Sequence, residues 1–221
     1  MRIDYEEKLL DVIKAFGESC ILENIVIIGS WATYFYVKVF ENFIPSIRTL
    51  DLDCYVPKTR NTKVLKSVNE TLKPINFDHI FDSGTEKSKF ISPDGFEIEF
   101  LAKLKRNQNS IVKLDSLGVN AEQLGNLELF DKGFILVDFE GYIVKVASPS
   151  AYVLQKILIS PKRSEEKYLK DLESVQLVYE VLKKENNHLE EFRNIVSAFG
   201  KTRRKVYNRY IKDNDLDFIG I

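Results

Sequence analysis

The spacing of apolar residues changes near Ser148-Pro149, and this change restricts the fold more than any other feature of the sequence. Before it, short apolar or alternating runs predict strands. After it, apolar residues recur at helical spacing. We therefore expect an α+β protein, with a mixed β-sheet and packed helices over residues 1–148 and an all-helical part over 149–221. The predicted strands are 25–28, 49–56, 89–92, 96–102, 133–138 and 142–147, and the predicted late helices are 150–159, 164–185 and 188–211.

Turn residues connect the predicted strands in pairs. Pro93-Asp94-Gly95 separates two of them, and there proline presets one turn residue while glycine accepts positive φ. Glu140-Gly141 predicts a second hairpin in the same way. In this part of the chain we also expect helices over 4–16, 30–40 and 61–72, with Ser30 capping the second of them.

Composition narrows the class of protein. Of the 221 residues, 44% are hydrophobic and 29% are charged, which is typical of a globular chain, and a net charge of -1 predicts no general attraction to nucleic acid or membranes. Cys20 and Cys54 lack metal or disulfide spacing and are predicted to be reduced thiols. With no signal-peptide core and no spanning apolar run, the sequence predicts a soluble, cytoplasmic protein with no membrane partner.

An Asp-x-Asp pair interrupts the apolar run TLDLDCYV. Strand alternation places Asp51 and Asp53 on one face, with Leu52 and Cys54 on the other. Two carboxylates this close repel each other, and a divalent cation would relieve that repulsion. Mg²⁺ suits oxygen ligands and commonly uses one or two carboxylates together with substrate phosphates. The alternative is an ordinary polar strand face, exposed or paired with lysine or arginine.

A Gly-Ser pair ends the strand at 25–28, immediately before the predicted helix. Backbone N–H groups at a helix start point outward and favour an anion, so Gly29 and Ser30 are candidates for holding a phosphate. The alternative is a simple helix cap.

The order of these motifs resembles a known family. IVIIGSWATYFY, then TLDLDCYV, then the acidic strand FEIEFLA are similar to the nucleotidyltransferase fold of DNA polymerase beta, especially its compact bacterial and archaeal members. The resemblance implies that Asp51 and Asp53 bind two Mg²⁺ ions and that an NTP is the substrate. It also implies a third carboxylate that binds metal and helps activate the attacking hydroxyl, with Glu99 the better candidate and Glu97 the second. Twenty residues separate Ser30 from Asp51, more than in the tightest family pattern.

A second group of charged residues lies in the helical part. Lys156 is surrounded by apolar residues, and Lys167 and Asp171 are i,i+4 neighbours. The segment resembles small nucleotidyltransferases, including toxin-like members of abortive-infection systems. The resemblance implies that Lys156, Arg163 and Lys167 bind the nucleotide and that Asp171 is needed for activity. The alternative is that these cations are solvated or paired with nearby glutamates. The residues that carry the resemblance are Pro149, Lys156, Arg163 and Lys170-Asp171-Leu172.

Together these features predict a Mg²⁺-dependent enzyme that moves an NMP from an NTP to a hydroxyl and releases pyrophosphate. The acceptor could be RNA, protein or a small molecule, and the base of the NTP is open, with ATP among the candidates. The alternatives are a non-catalytic nucleotide- or RNA-binding module, a toxin–antitoxin component with a small antitoxin-like partner, and a phosphate-releasing hydrolase. The basic segment 201–212 predicts either RNA binding or a solvated helix face.

Overall fold

The computed structural model describes residues 5–45, 50–57, 63–104 and 110–216. The chain forms two units, Met1–Ala147 and Ser148–Ile221. Within the described residues the first unit holds three α-helices and nine strands. The helices are α1 (Tyr5–Glu18), α2 (Ser30–Tyr36) and α3 (Val68–Leu72); the strands are β1 (Val26–Ile28), β2 (Asp51–Tyr55), β3 (Asp78–Phe81), β4 (Ser88–Ile91), β5 (Glu97–Lys103), β6 (Ile111–Leu114), β7 (Val119–Leu124), β8 (Phe134–Phe139) and β9 (Tyr142–Ala147).

The strands form one mixed sheet in the order β3-β4-β5-β2-β1-β9-β8. β1 runs antiparallel to β2 and parallel to β9, and β2 runs parallel to β5. The second half of β5 pairs with β7, which in turn pairs with β6. β1 lies near the middle and is buried on both faces, as its continuous apolar sequence predicts. The predicted α+β class is therefore confirmed.

Both predicted hairpins are present. β4 and β5 pair antiparallel around Pro93-Asp94-Gly95, and β8 and β9 pair around a two-residue loop. In that loop Glu140 and Gly141 both have positive φ, which is the geometry of a type I′ turn. Three strands were not predicted: β3, β6 and β7.

Two early helices differ from the prediction. α2 begins at Ser30, but Gly29 holds the cap position and the helix ends at Tyr36 instead of near residue 40. α3 is short, because a Ser67–Glu70 capping box starts it only at Val68. Residues 61 and 62 of the predicted 61–72 helix lie outside the described residues, as does Thr49 of the predicted 49–56 strand.

The described part of the second unit is helical. It holds α4 (Pro149–Ile159), α5 (Glu165–Lys184), α6 (Asn186–Ser197) and α7 (Lys201–Asp213). The Ser148 hydroxyl caps α4 by accepting a hydrogen bond from the Ala151 N–H at 3.2 Å. The helix predicted over 188–211 was wrong as one element, because the chain breaks at 198–200 and starts again after Gly200. Buried apolar side chains from all four helices form its core: Leu154, Ile157, Val175, Val178, Leu182, Phe192, Val196 and Tyr207.

The helices show no sign of a membrane span. Within the ranges that the structure describes, no helix combines the length and the apolar character needed to cross a bilayer.

Candidate active site

The Asp-x-Asp pair lies on β2, as predicted. Leu52 and Cys54 are fully buried, whereas Asp51 is exposed and Asp53 is partly buried. Strand alternation therefore turns both carboxylates away from the core. The two acidic side chains share one face of the sheet, near its centre.

Gly29 lies directly beside Asp53, the second residue of this pair. β1 and β2 are antiparallel neighbours with Ile28 opposite Asp53, so the turn after β1 reaches the carboxylate. A Cβ atom built on Gly29 would come within 2.3 Å of Asp53 Oδ2. Gly29 also has φ 66° and ψ -158°, a conformation that is essentially restricted to glycine. The long spacing between Ser30 and Asp51 therefore does not keep the two motifs apart.

Ser30 is the first residue of α2. Its carbonyl accepts a hydrogen bond from the Thr33 hydroxyl at 2.7 Å, and its side chain is partly exposed. Gly29 and Ser30 thus flank the acidic face at the start of a seven-residue helix.

The predicted third carboxylate shares the face with the aspartates. β2 and β5 are parallel, with Asp51 opposite Glu97 and Asp53 opposite Glu99. Directly paired residues on adjacent strands project to the same side. The structure therefore aligns all four acidic side chains in two registered rows.

Two lysines contact the glutamate row, and neither was predicted from the sequence. Lys87 Nζ lies 2.7 Å from Glu99 Oε2 and 2.9 Å from Glu122 Oε2. Lys89 Nζ lies 2.6 Å from Glu97 Oε2 and 3.2 Å from Glu99 Oε1. Lys89 begins the predicted strand 89–92, and Lys87 lies two residues before it. This i,i+2 spacing was the available signal, because it places both lysines on one face of an extended chain.

These contacts keep the lysines charged. Burial lowers the pKa of Lys87, but its hydrogen bonds to Glu99 and Glu122 outweigh burial and raise the pKa above the usual value. For Lys89, the hydrogen bond to Glu97 is the main cause of a raised pKa. Both ammonium groups therefore remain protonated at neutral pH and neutralise part of the acidic face.

The acidic face fits a divalent cation only in part. Asp51 and Asp53 supply adjacent carboxylates on one face, which suits a hard cation. Each oxygen of Glu99 is already bonded to a lysine, so this residue does not fit as a third ligand in the observed arrangement. Over the described ranges no group of three or more histidine, cysteine, aspartate or glutamate side chains is arranged to hold a metal.

In the second unit the structure brings together Lys156, Arg163 and Asp171. Lys156 Nζ lies 2.6 Å from Asp171 Oδ1, and Arg163 Nε lies 2.7 Å from Asp171 Oδ2. The Asp171 side chain is only 6% exposed. Burial lowers the pKa of Lys156, but its interactions with Tyr152 and Asp171 outweigh burial, so the pKa is raised. The three side chains form an ion triad in which Lys156 and Asp171 are buried and Arg163 is partly exposed, and the sequence did not predict this contact.

The remaining predicted cations lie on exposed surfaces. Lys167 is exposed on α5, and Lys170 pairs with Glu166 at 2.6 Å, as the alternative of glutamate pairing predicted for this helix. On α7, Tyr207 and Tyr210 are buried, while Lys201, Lys205 and Arg209 are exposed. The tyrosines of segment 201–212 therefore serve the core of this unit.

Comparison with known proteins defines the class. A family model described as "Nucleotidyltransferase" matches residues 7–198. The chain belongs to this nucleotidyltransferase family and is an enzyme of that class. No curated protein sequence matches it significantly.

Solved structures of nucleotidyltransferases are distantly similar. A complex of ANT(2")-Ia with adenylyl-2"-tobramycin has 12% identity and a TM-score of 0.49, covering 92% of this chain and 97% of that one. An antigenic nucleotidyltransferase-like protein from Paracoccidioides brasiliensis has 15% identity and a TM-score of 0.45, with 93% and 91% covered. The lincosamide antibiotic adenylyltransferase LnuA, lincomycin-bound, has 13% identity and a TM-score of 0.45, with 79% and 96% covered.

Proposed function

We propose that the protein transfers an NMP from an NTP to an acceptor hydroxyl, with release of pyrophosphate, and that Asp51 and Asp53 hold the Mg²⁺ that the reaction needs. The observation that carries this proposal is the position of Asp53. Its carboxylate occupies the position that a Cβ atom on Gly29 would take, at the turn from β1 to α2. This juxtaposition joins the acidic pair to the turn that the family resemblance assigns to phosphate binding.

The chain's own groups have distinct tasks. Asp51 and Asp53 present carboxylate oxygens for the cation, and their strand fixes the spacing between them. The turn at Gly29 lets the backbone approach a ligand closely, and the Ser30 hydroxyl and backbone N–H are candidate donors to phosphate oxygens. When bound, Mg²⁺ supplies charge neutralisation for the triphosphate and for the departing pyrophosphate.

The predicted nucleotide contacts of Lys156, Arg163 and Lys167 are retained as part of the proposal. Lys167 is exposed and carries its charge to the surface of α5. Lys156 and Arg163 are held by Asp171, which fixes the position of both cations. Asp171 is thus proposed to act on activity by positioning these two side chains.

A transfer assay tests the proposal directly. The protein is incubated with each α-labelled NTP and Mg²⁺, together with total RNA, total protein or a panel of small hydroxyl compounds that includes aminoglycosides. We expect label in one acceptor fraction, equimolar pyrophosphate, and loss of both with EDTA. Asp51→Asn and Asp53→Asn should each lower transfer by about 100-fold or more, because a catalytic cation contributes several kcal/mol.

Asp78→Asn is the matched control, since Asp78 is an exposed aspartate on β3 of the same sheet. It should leave transfer unchanged. Full activity of the Asp51→Asn, Asp53→Asn double variant would contradict the proposal. Release of inorganic phosphate in place of pyrophosphate would point instead to a hydrolase.

A further inference from the structure

The acidic face carries its own cations. Lys87 and Lys89 on the β4 side contact three glutamates, at distances of 2.6–3.2 Å. Glu99 is the residue shared by the two lysines, and each of its oxygens receives one ammonium group. Glu122 is the second partner of Lys87, and Glu97 is the second partner of Lys89.

Burial makes these contacts firm. The side chains of Lys87 and Glu99 are both 15% exposed. A charged group in such a position needs a close opposite charge, because its contact with water is mostly lost. Glu99 contacts two such opposite charges within the protein, the ammonium groups of Lys87 and Lys89. Its negative charge is therefore neutralised without a metal ion.

The aspartate row lies beside the glutamate row on the same face of the sheet. Asp53 lies opposite Glu99, and Asp51 lies opposite Glu97. The two rows therefore belong to adjacent strands and lie on the same face of the sheet. The two lysines contact the glutamate row, on the side away from β1. Under the proposed function, the divalent cation lies on the Asp51–Asp53 side, next to Gly29, and the lysines lie on the other side of the glutamate row.

We propose that Lys87 and Lys89 take the place of a second metal ion, so that the acidic face binds a single divalent cation on Asp51 and Asp53 while Glu97 and Glu99 are neutralised by ammonium groups of the protein. The metal-binding half of this statement rests on the proposed function. Glu99 is then a positioning residue, which orders the two lysines beside the aspartates, and it does not contact the metal.

Direct measurement of Mn²⁺ binding tests the inference without an activity assay. Mn²⁺ alone is titrated into the full chain, and free ion is followed by electron paramagnetic resonance. We expect one ion per chain in the wild type and in Glu99→Gln. The Kd for Mn²⁺ should differ by less than about tenfold between the two proteins, because loss of a group that supports a metal site typically weakens metal affinity by about 10- to 100-fold. In Glu99→Gln each lysine keeps its second partner, Glu97 or Glu122, which protects the fold.

The lysine variants supply the opposite test. Lys87→Met with Lys89→Met frees the glutamates from their cations and should raise the Mn²⁺ stoichiometry from one to two per chain. Lys87→Arg with Lys89→Arg keeps the charges and should remain at one ion. Glu122→Gln is a further control, because it removes a partner of Lys87 from outside the two registered rows. Circular dichroism and thermal melts in EDTA confirm that each variant is folded.

The outcomes separate this inference from the proposed function. Two ions in the wild type, or a loss of the single ion in Glu99→Gln, would overturn the inference and restore Glu99 as a ligand. An ion that persists in Asp53→Asn, or no bound ion in the wild type, would overturn the proposed metal site itself and the inference with it. One ion that is lost in Asp53→Asn and kept in Glu99→Gln supports both.

Discussion

The carboxylate of Asp53 occupies the space that a side chain at residue 29 would fill. A Cβ on Gly29 would lie 2.3 Å from Asp53 Oδ2 and 3.2 Å from Asp53 Cγ. The two residues belong to different motifs in the sequence, yet the β1–β2 pairing places them in contact. The geometry of the acidic pair therefore depends on the absence of a side chain at the turn.

Replacement of Gly29 by alanine should damage both stability and the acidic site. The backbone there has φ 66°, which should cost about 1–3 kcal/mol for a residue with a Cβ, and the methyl group must also displace Asp53. Urea denaturation measures the first effect and Mn²⁺ affinity the second. Gly141→Ala is the matched control: it also has positive φ (86°), but no atom lies within 4 Å of its Cβ position. Equal Mn²⁺ affinity in both alanine variants would contradict the contact.

Magnesium should stabilise the folded protein through the aspartates. A ligand that binds only the native state adds about 2.7 kcal/mol at a concentration one hundred times its Kd. We expect Tm to rise with Mg²⁺ in the wild type and in Asp78→Asn, and not in Asp53→Asn. A Mg²⁺-dependent rise of equal size in Asp53→Asn would place the ion elsewhere.

The ion triad of the second unit should be sensitive to the loss of its buried aspartate, Asp171. Asp171→Asn leaves Lys156 buried without its carboxylate, and such a broken pair typically costs about 3–5 kcal/mol. The double variant Lys156→Met, Asp171→Met removes both charges of that pair and should be less destabilised than Asp171→Asn. Arg163, whose side chain is 29% exposed, can then turn to solvent. Chemical denaturation of the variants measures the coupling, and a change below about 1 kcal/mol in Asp171→Asn would contradict a structural role.

Tyr207 should contribute to alkaline unfolding. Burial raises the pKa of its hydroxyl from the usual value of about 10 to about 12. Because the folded-state pKa is the higher one, this contribution to stability is complete below pH 10 and is lost as the pH rises from about 10 to about 12. In Tyr207→Phe, stability should fall less steeply over that range. Difference absorbance at 295 nm between the two proteins reports the titration, and a midpoint near 10 would show that the hydroxyl is solvated.

The sequence predicted those elements that depend only on local residue patterns. The period-two placement of Asp51 and Asp53 on one face needed only strand geometry, and Pro93-Asp94-Gly95 carried its own turn chemistry. β7 has the sequence VNAEQL, whose apolar positions are too few to indicate a strand. It forms a strand because it pairs with β5 and β6. Tertiary pairing overrode propensity there.

Of the candidate site, the sequence predicted single residues within short motifs, and it did not predict contacts between residues that are distant in the sequence. Glu99 was identified, but its lysine partners were not, because those contacts depend on the register of β4, β5 and β7. The Asp171 triad likewise needs α4 and α5 to pack at one angle before the ions meet. Long-range ion pairs have no periodic signature in a sequence, so their partners appear only with the fold.

Cys54 offers a built-in reporter of this region. It lies between Asp53 and Tyr55 on β2, opposite Ile27 and Phe100, and it is fully buried. Burial raises the pKa of its thiol, and the neighbouring Asp53 charge adds to the effect, so the native thiol is a poor nucleophile. In Cys20→Ser, which removes the partly exposed cysteine, the rate of alkylation would therefore measure how often the central strands separate. The rate at which a thiol reagent modifies Cys54 thus reports the rate of local opening of the sheet, one residue away from the acidic pair.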